Sequence, residues 1–216
     1  KEMPNVRIFP EHELALSVRT IKRRDELNYI EEAQRITDIL FKRILRYIKP
    51  GKHTEYEVAH FIKDEARKLG AEDTSFESIV AGGTHSARPH HIVSDAKKIP
   101  TRGPLLLDFG VRYKGYASDC SRTIWIGKNP SGEFKDAYRT VLQAQEAGIA
   151  ASRFKGERPA KMIDEVTRVV IQESRFKGTF IHGLGHGVGL EVHERPTVDS
   201  LSIDVLRGGE VITIEP

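Results

Sequence analysis

An α+β fold built from two similar halves is what this 216-residue sequence predicts, and three observations carry that reading. Two segments with helical apolar spacing lead into strand-like material, and the order helix, helix, strands then recurs. Gly51 and Gly156 stand at matching places, each ahead of the second helix of its half, which hints at an internal duplication with an approximate two-fold. Two helices per half covering one sheet face make this α+β, in contrast to the strict strand–helix–strand alternation of a parallel sheet.

The elements follow in order. Residues 1–20 read as the tail of a linker or preceding segment, the first ten being irregular with Pro4 and Pro10; residues 21–216 read as one domain. The cluster Lys22-Arg23-Arg24 runs straight into Asp25 and Glu26 and reads as a solvated helix start. From Asp25, the residues Leu27, Ile30, Ala33, Ile36, Leu40, Ile44 and Ile48 recur at steps of three or four, and the pattern stops at Lys49-Pro50-Gly51. Thr54-Glu55-Tyr56-Glu57 has the form of a capping box, so a second helix begins there; it buries Val58, Phe61, Ile62, Ala66 and Leu69 and ends at Gly70. Strand-like residues Phe76 to Ala81 precede a Gly-Gly loop, and Leu105 to Ile126 reads as two strands around a tight turn. Helical spacing returns from Glu133 to Phe154 through Phe134, Ala137, Val141, Leu142 and Ala147. A further helix starts at Pro159 and runs through Ile163, Val166 and Val170. Gly-rich, strand-like sequence then extends from Gly178 to Glu191, and Val211 to Ile214 form a last alternating strand.

Composition excludes several classes. Thirty-four Lys and Arg against 31 Asp and Glu leave no basic excess for a nucleic-acid footprint. No apolar run approaches the ~18 residues that span a bilayer, and Lys1 to Pro10 lacks the apolar stretch of a signal peptide. The single cysteine, Cys120, rules out an internal disulfide and fits a reducing cytoplasm.

The chemistry begins at the hairpin. Leu105–Tyr113 and Tyr116–Thr123 flank Lys114-Gly115, a two-residue turn. If Tyr113 faces Tyr116, then Gly110 lies opposite Asp119 and Asp108 opposite Ser121. Alternation puts all four on one face, and the two aspartates become diagonal neighbours able to converge on one ion. Carboxylates that close repel unless a cation or proton sits between them. Either aspartate could instead cap a turn or pair with Arg112 or Arg122. Cys120 points to the opposite face as a small core thiol.

Five of the nine histidines lie in two short segments, Arg88-Pro89-His90-His91 and His182 to Glu194. Glycines flank His186, where they would let the backbone pass close to a metal or a substrate. No His-Glu-x-x-His occurs, which excludes a helix-based zinc protease. Gly183-Leu184-Gly185-His186-Gly187-Val188 fails the dinucleotide fingerprint at its sixth position. Glu215 terminates the last strand, either at a surface edge or aimed into a site.

Taken together, Leu107-Asp108-Phe109-Gly110, Ser118 to Thr123, Gly185 to Gly189, Val192-His193-Glu194 and Thr213-Ile214-Glu215-Pro216 resemble, in order and spacing, the pita-bread metallopeptidases: Xaa-Pro dipeptidase (prolidase), aminopeptidase P and methionine aminopeptidase. The resemblance spans Ser86 to Pro216. Ser118 to Thr123, Leu190 to His193 and His182 favour the proline-specific branch, while Arg88 departs from the small apolar residue expected before Pro89. The resemblance implies that residues 21–216 form a catalytic domain of pita-bread fold, cutting Xaa-Pro peptide bonds with two divalent ions. Asp108 would chelate one ion, Asp119 would bridge both, and His186 and Glu215 would bind the other. A second glutamate and the closing strands would lie downstream of Pro216, so the domain is expected to be truncated there. The hard, oxygen-rich donor set suits Mn²⁺, with Co²⁺, Fe²⁺ or Zn²⁺ as other occupants. The ions would share an acidified water, Glu215 would take its proton, His193 and His90 would hold the carbonyl and oxyanion, and His182 would line the proline side. A proline-containing peptide is the expected substrate, a homodimer the expected assembly, with neither nucleic acid nor membrane as partner. Two other readings stand beside this one: a metal-free, creatinase-like amidinohydrolase and a non-catalytic pita-bread peptide-binding module.

Overall fold

The computed structural model describes residues 14–216, so the expectation for residues 1–13 lies outside the described residues. Within the span read as linker, Leu14–Thr20 forms a helix, α1. It is held to the far end of the chain: Arg19 and Lys22 both pair with Glu194, at 2.8 and 2.7 Å. Lys22 therefore corrects the reading of a solvated basic cluster. Its side chain is 1% exposed, because a carboxylate 172 residues away takes its charge, whereas Arg23 is open to solvent.

Helix α2 (Arg24–Tyr47) and helix α3 (Glu55–Lys68) form where the apolar spacing places them. Ile30, Ala33, Ile36, Leu40 and Ile44 of α2 and Val58, Ile62 and Ala66 of α3 are buried. Thr54 caps α3 and Glu57 returns the bond to its backbone, a reciprocal pair worth about 1 kcal/mol. Tyr47 stacks on Phe61 with ring centroids 3.8 Å apart, joining the two helices.

Strands β1 (Asp73–Thr74) and β2 (Ile79–Gly82) lead through a 3-10 turn, Gly83–Ala87, towards β3 (Gly103–Phe109). β4 (Val111–Tyr113), β5 (Tyr116–Ala117) and β6 (Cys120–Ile126) complete the hairpin. The expected register is present: Tyr113 faces Tyr116 and Asp108 faces Ser121. Lys114 and Gly115 both have positive φ, +51° and +81°, as a type I′ turn requires. The long hairpin is divided between two sheets, β2-β3-β6 and β1-β4-β5, with the break at Gly110 and at Ser118-Asp119.

The second half repeats the plan. Helix α4 (Gly132–Ser152) is capped by Ser131, a short β7 (Arg158–Pro159) pairs with β10 (Val205–Leu206), and α5 (Ala160–Gln172) follows. In the first half Thr54 bridges Lys98 just ahead of α3, as Pro159 pairs with Val205 just ahead of α5. Gly51 and Gly156, with φ of +74° and +86°, turn the chain at equivalent points. Each half has its own apolar core, one around Ile36, Leu40, Ile62, Leu107 and Phe109, the other around Ile163, Ile171, Leu184 and Val198.

Helix α4 differs from its reading in one respect. Val141 and Leu142 are exposed, and the buried residues are Ala144 and Gly148. A side chain at Gly148 would meet Thr167 Oγ1 at 2.5 Å, so close approach to α5 selects the small residues for the contact face. Among the described residues no helix is long and apolar enough to cross a membrane.

Candidate metal centre

The hairpin break sets the first pair of carboxylates. Burial alternates along β3, so Phe109 enters the core while Asp108 faces the opposite side, where Ser121 Oγ donates to its Oδ1 at 2.8 Å. Asp119 sits in the break between β5 and β6, and the preceding residue fixes it. Ser118 is buried; its Oγ accepts from the Val111 amide at 2.9 Å and lies 2.7 Å from Thr37 Oγ1 on α2. Ser75 Oγ donates to the Ser118 carbonyl. At Gly110 a Cβ would collide with that same carbonyl, so this crossing of the strands tolerates only glycine. Arg112 and Arg122 donate to backbone carbonyls, Arg112 to Gly115 and Leu190 and Arg122 to Ser121. The arginine-pairing alternative therefore gives way to Ser121 beside Asp108 and to His186 beside Asp119.

His186 lies on β8 (Gly185–Gly187), paired with β9 (Glu194–Val198). The segment read as the last strand runs along the other edge of β8: Thr213 and Glu215 amides donate to the His186 and Leu184 carbonyls, both at 2.9 Å. The flanking glycines serve this packing. A Cβ on Gly185 would strike the Thr213 carbonyl, and one on Gly187 the Glu194 and Arg195 carbonyls. What passes close here is the chain's own backbone.

His186 Nδ1 lies 3.0 Å from the Gly187 carbonyl. A carbonyl can only accept, so Nδ1 carries the proton and Nε2 is left to face the carboxylates. Nε2 is 3.1 Å from Glu215 Oε1 and 3.4 Å from Asp119 Oδ2. Thr213 Oγ1 donates to Glu215 at 2.8 Å and so orients it.

Protons hold these acidic groups and the imidazole together. Burial, and then the Asp119 charge, push the Asp108 carboxyl up to about 7. Burial alone would lower His186, but hydrogen bonds to Asp119 and Glu215 outweigh it and raise the imidazole to about 10. Burial would raise Glu215, yet bonds from His186 and Thr213 hold it below its ordinary value. An imidazolium thus neutralises carboxylates that could not otherwise be buried together. A hard divalent cation can replace those protons. The donor set, carboxylate oxygens around one imidazole nitrogen already in the right tautomer, fits such an ion.

The other expected residues are placed less tightly. His193 stands with its ring 4.2 Å from that of His186 at 69°, and its donor atom falls in one cluster with those of Asp119 and His186, all within 4.8 Å. Burial and the His186 charge lower its pKa. His90 is exposed and is close enough for its charge to be felt at His193. His182 is exposed, with Nδ1 2.8 Å from the Gly183 carbonyl and its ring edge-on to Phe180. Its charge acts on Glu215. Sequence reasoning missed two groups: the Thr37–Ser118 support beneath Asp119, and a buried cluster of Glu55, His85 and His91. The doublet His90-His91 was the one available signal for the second group.

The two α+β halves bring Asp119 and Glu215 onto one imidazole, and comparison with known proteins gives the family. The profile of metallopeptidase family M24 matches residues 28–216, and the chain belongs to this family. It is 38% identical over 217 residues to the Xaa-Pro dipeptidase of Pyrococcus furiosus, covering 100% of this chain and 61% of that protein. Among solved structures, the Xaa-Pro dipeptidase from Bacillus anthracis superposes with a TM-score of 0.90 at 40% identity, covering 96% of this chain and 57% of that one. The X-Pro aminopeptidase from Thermotoga maritima MSB8 superposes with a TM-score of 0.88 at 36% identity, covering 94% and 56%. The fold is accordingly the pita-bread fold expected from the motifs. The chain spans about three-fifths of the length of these relatives.

Proposed function

We propose that this chain supplies most of the catalytic centre of a metal-dependent peptidase that hydrolyses Xaa-Pro bonds, with residues 21–216 as the catalytic domain. The observation that carries the reading is the convergence of Asp119 and Glu215 on Nε2 of His186 while Nδ1 is locked to the Gly187 carbonyl. Asp108, Asp119, His186 and Glu215 would hold the divalent ions, and Mn²⁺ suits the oxygen-rich set. When bound, the ions supply an acidified water and polarise the scissile carbonyl.

The chain's own residues do the rest. Glu215, oriented by the Thr213 hydroxyl, accepts the proton lost from the attacking water. His193, beside the His186 ring, presents a ring N–H to the substrate carbonyl, with His90 helping to stabilise the oxyanion. His182 lines the proline side. Support comes from the family and from relatives named for action on Xaa-Pro substrates. A reducing cytoplasm fits the single, buried cysteine, and the homodimer is carried by the family resemblance alone.

The test is hydrolysis of Xaa-Pro dipeptides and of longer Xaa-Pro peptides with and without Mn²⁺. Cleavage is expected only with the ion, and Asp119→Asn or His186→Ala should lower kcat/KM on the order of 10²–10³-fold or more. Wild-type rates in either variant would rule out this site.

A further inference from the structure

Glu55 is the first residue of α3, and its side chain is 0% exposed. A buried carboxylate must be satisfied by donors, and this one receives them from both ends of one segment. Its Oε1 accepts from the Gly82 amide at 2.9 Å and lies 2.9 Å from His85 Nδ1. Its Oε2 accepts from the Ser94 amide at 3.2 Å and lies 2.8 Å from His91 Nε2. The backbone repeats the closure: the Glu55 amide donates to the Lys97 carbonyl and the Tyr56 amide to the Ser94 carbonyl. Gly82 ends β2 and Ser94 closes the segment, so one side chain staples the two ends together. His90 lies between them, flanked by His91 and, five residues earlier, His85.

We propose that Glu55 is a positioning residue: through Gly82, His85, His91 and Ser94 it sets the 82–94 segment and with it the place of His90. This rests on the reading of His90 given above. The same three side chains could bracket a cation, since their donor atoms lie within 4.8 Å of one another. Both Glu55 oxygens are already engaged by backbone amides, however, and the rings complete the shell as N–H donors. A carboxylate only accepts, so glutamine at this position would turn a donor towards donors.

The experiment is a double-mutant comparison. Glu55→Gln is made with His90 present and in a His90→Ala background, with kcat and KM measured for each on an Xaa-Pro dipeptide with Mn²⁺. With His90 present, kcat should fall on the order of 10–100-fold with KM changing less, and Glu55→Asp should recover part of the loss. In the His90→Ala background Glu55→Gln should cost less than about twofold. An equal loss in both backgrounds would overturn the proposal. Hydrogen exchange gives a readout independent of turnover: the amides of 82–94 should lose protection in Glu55→Gln while those of β3 and α3 keep theirs. If the wild type cleaves no Xaa-Pro substrate, the proposed activity fails, and exchange alone decides the positioning role; unchanged protection would sink it. Stoichiometric Zn²⁺ binding that survives Asp119→Asn and vanishes with Glu55→Gln would also overturn it, in favour of an ion site. Should Glu55→Gln not fold, His91→Phe carries the same comparison.

Discussion

At the scale of single residues, His186 ties charge to stability. Its folded-state pKa is raised from 6.5 to about 10 by Asp119 and Glu215, against the opposing pull of burial. A raised value means that the folded state holds the proton more tightly. The stabilisation is then complete below about 6.5 and is lost as pH rises through 10. The metal-free protein should therefore lose melting temperature between pH 7 and 10, and His186→Gln should remove that part of the slope. A wild-type slope in the variant would show that the imidazolium is not the cause. The four ligand candidates came from the resemblance of ordered motifs; of the local patterns, only strand alternation gave a physical reason to pair Asp108 with Asp119. Glu55 was not legible in the sequence. Local pattern explains it as part of the Thr54-Glu55-Tyr56-Glu57 capping box, while its partners lie 27 to 39 residues away. Lys22 was misread for the same reason, its partner being 172 residues distant.

Among elements, the hairpin shows what alternation can and cannot tell. Parity placed Asp108 opposite Ser121 correctly, because a period of two leaves no other register once Tyr113 faces Tyr116. Parity does not show that the hairpin is shared between two sheets. That follows from the crossing at Gly110, where the Ser118 carbonyl and Ser75 Oγ occupy the space of a Cβ. Gly110→Ala should accordingly destabilise the fold by at least about 2 kcal/mol and loosen Asp119. Denaturant unfolding and Mn²⁺ titration of the same variant would check both, and native stability would disprove the crossing. Helix α4 teaches the complementary limit. Helical spacing identified the helix, but Val141 and Leu142 lie outside the contact face, and packing on Thr167 requires Gly148.

For the whole molecule, the duplicated plan was visible in the order of elements and in Gly51 and Gly156, while the tie between the chain's two ends was not. Lys22 and Glu194 are 1% and 3% exposed and 2.7 Å apart, with Arg19 completing the cluster. Breaking a buried pair strands a charge, so Lys22→Met should cost about 3 kcal/mol in equilibrium unfolding. A variant as stable as wild type would show that Arg19 alone suffices for Glu194.

That tie also bears on the route by which the chain folds. The bond between residues 22 and 194 closes a loop of 172 residues, which makes it entropically costly until the two cores have drawn its ends together. It should be absent from the rate-limiting transition state, so Lys22→Met should accelerate unfolding and leave refolding nearly unchanged. The clasp then works as a latch on the finished molecule, setting how long the native state lasts once it has formed.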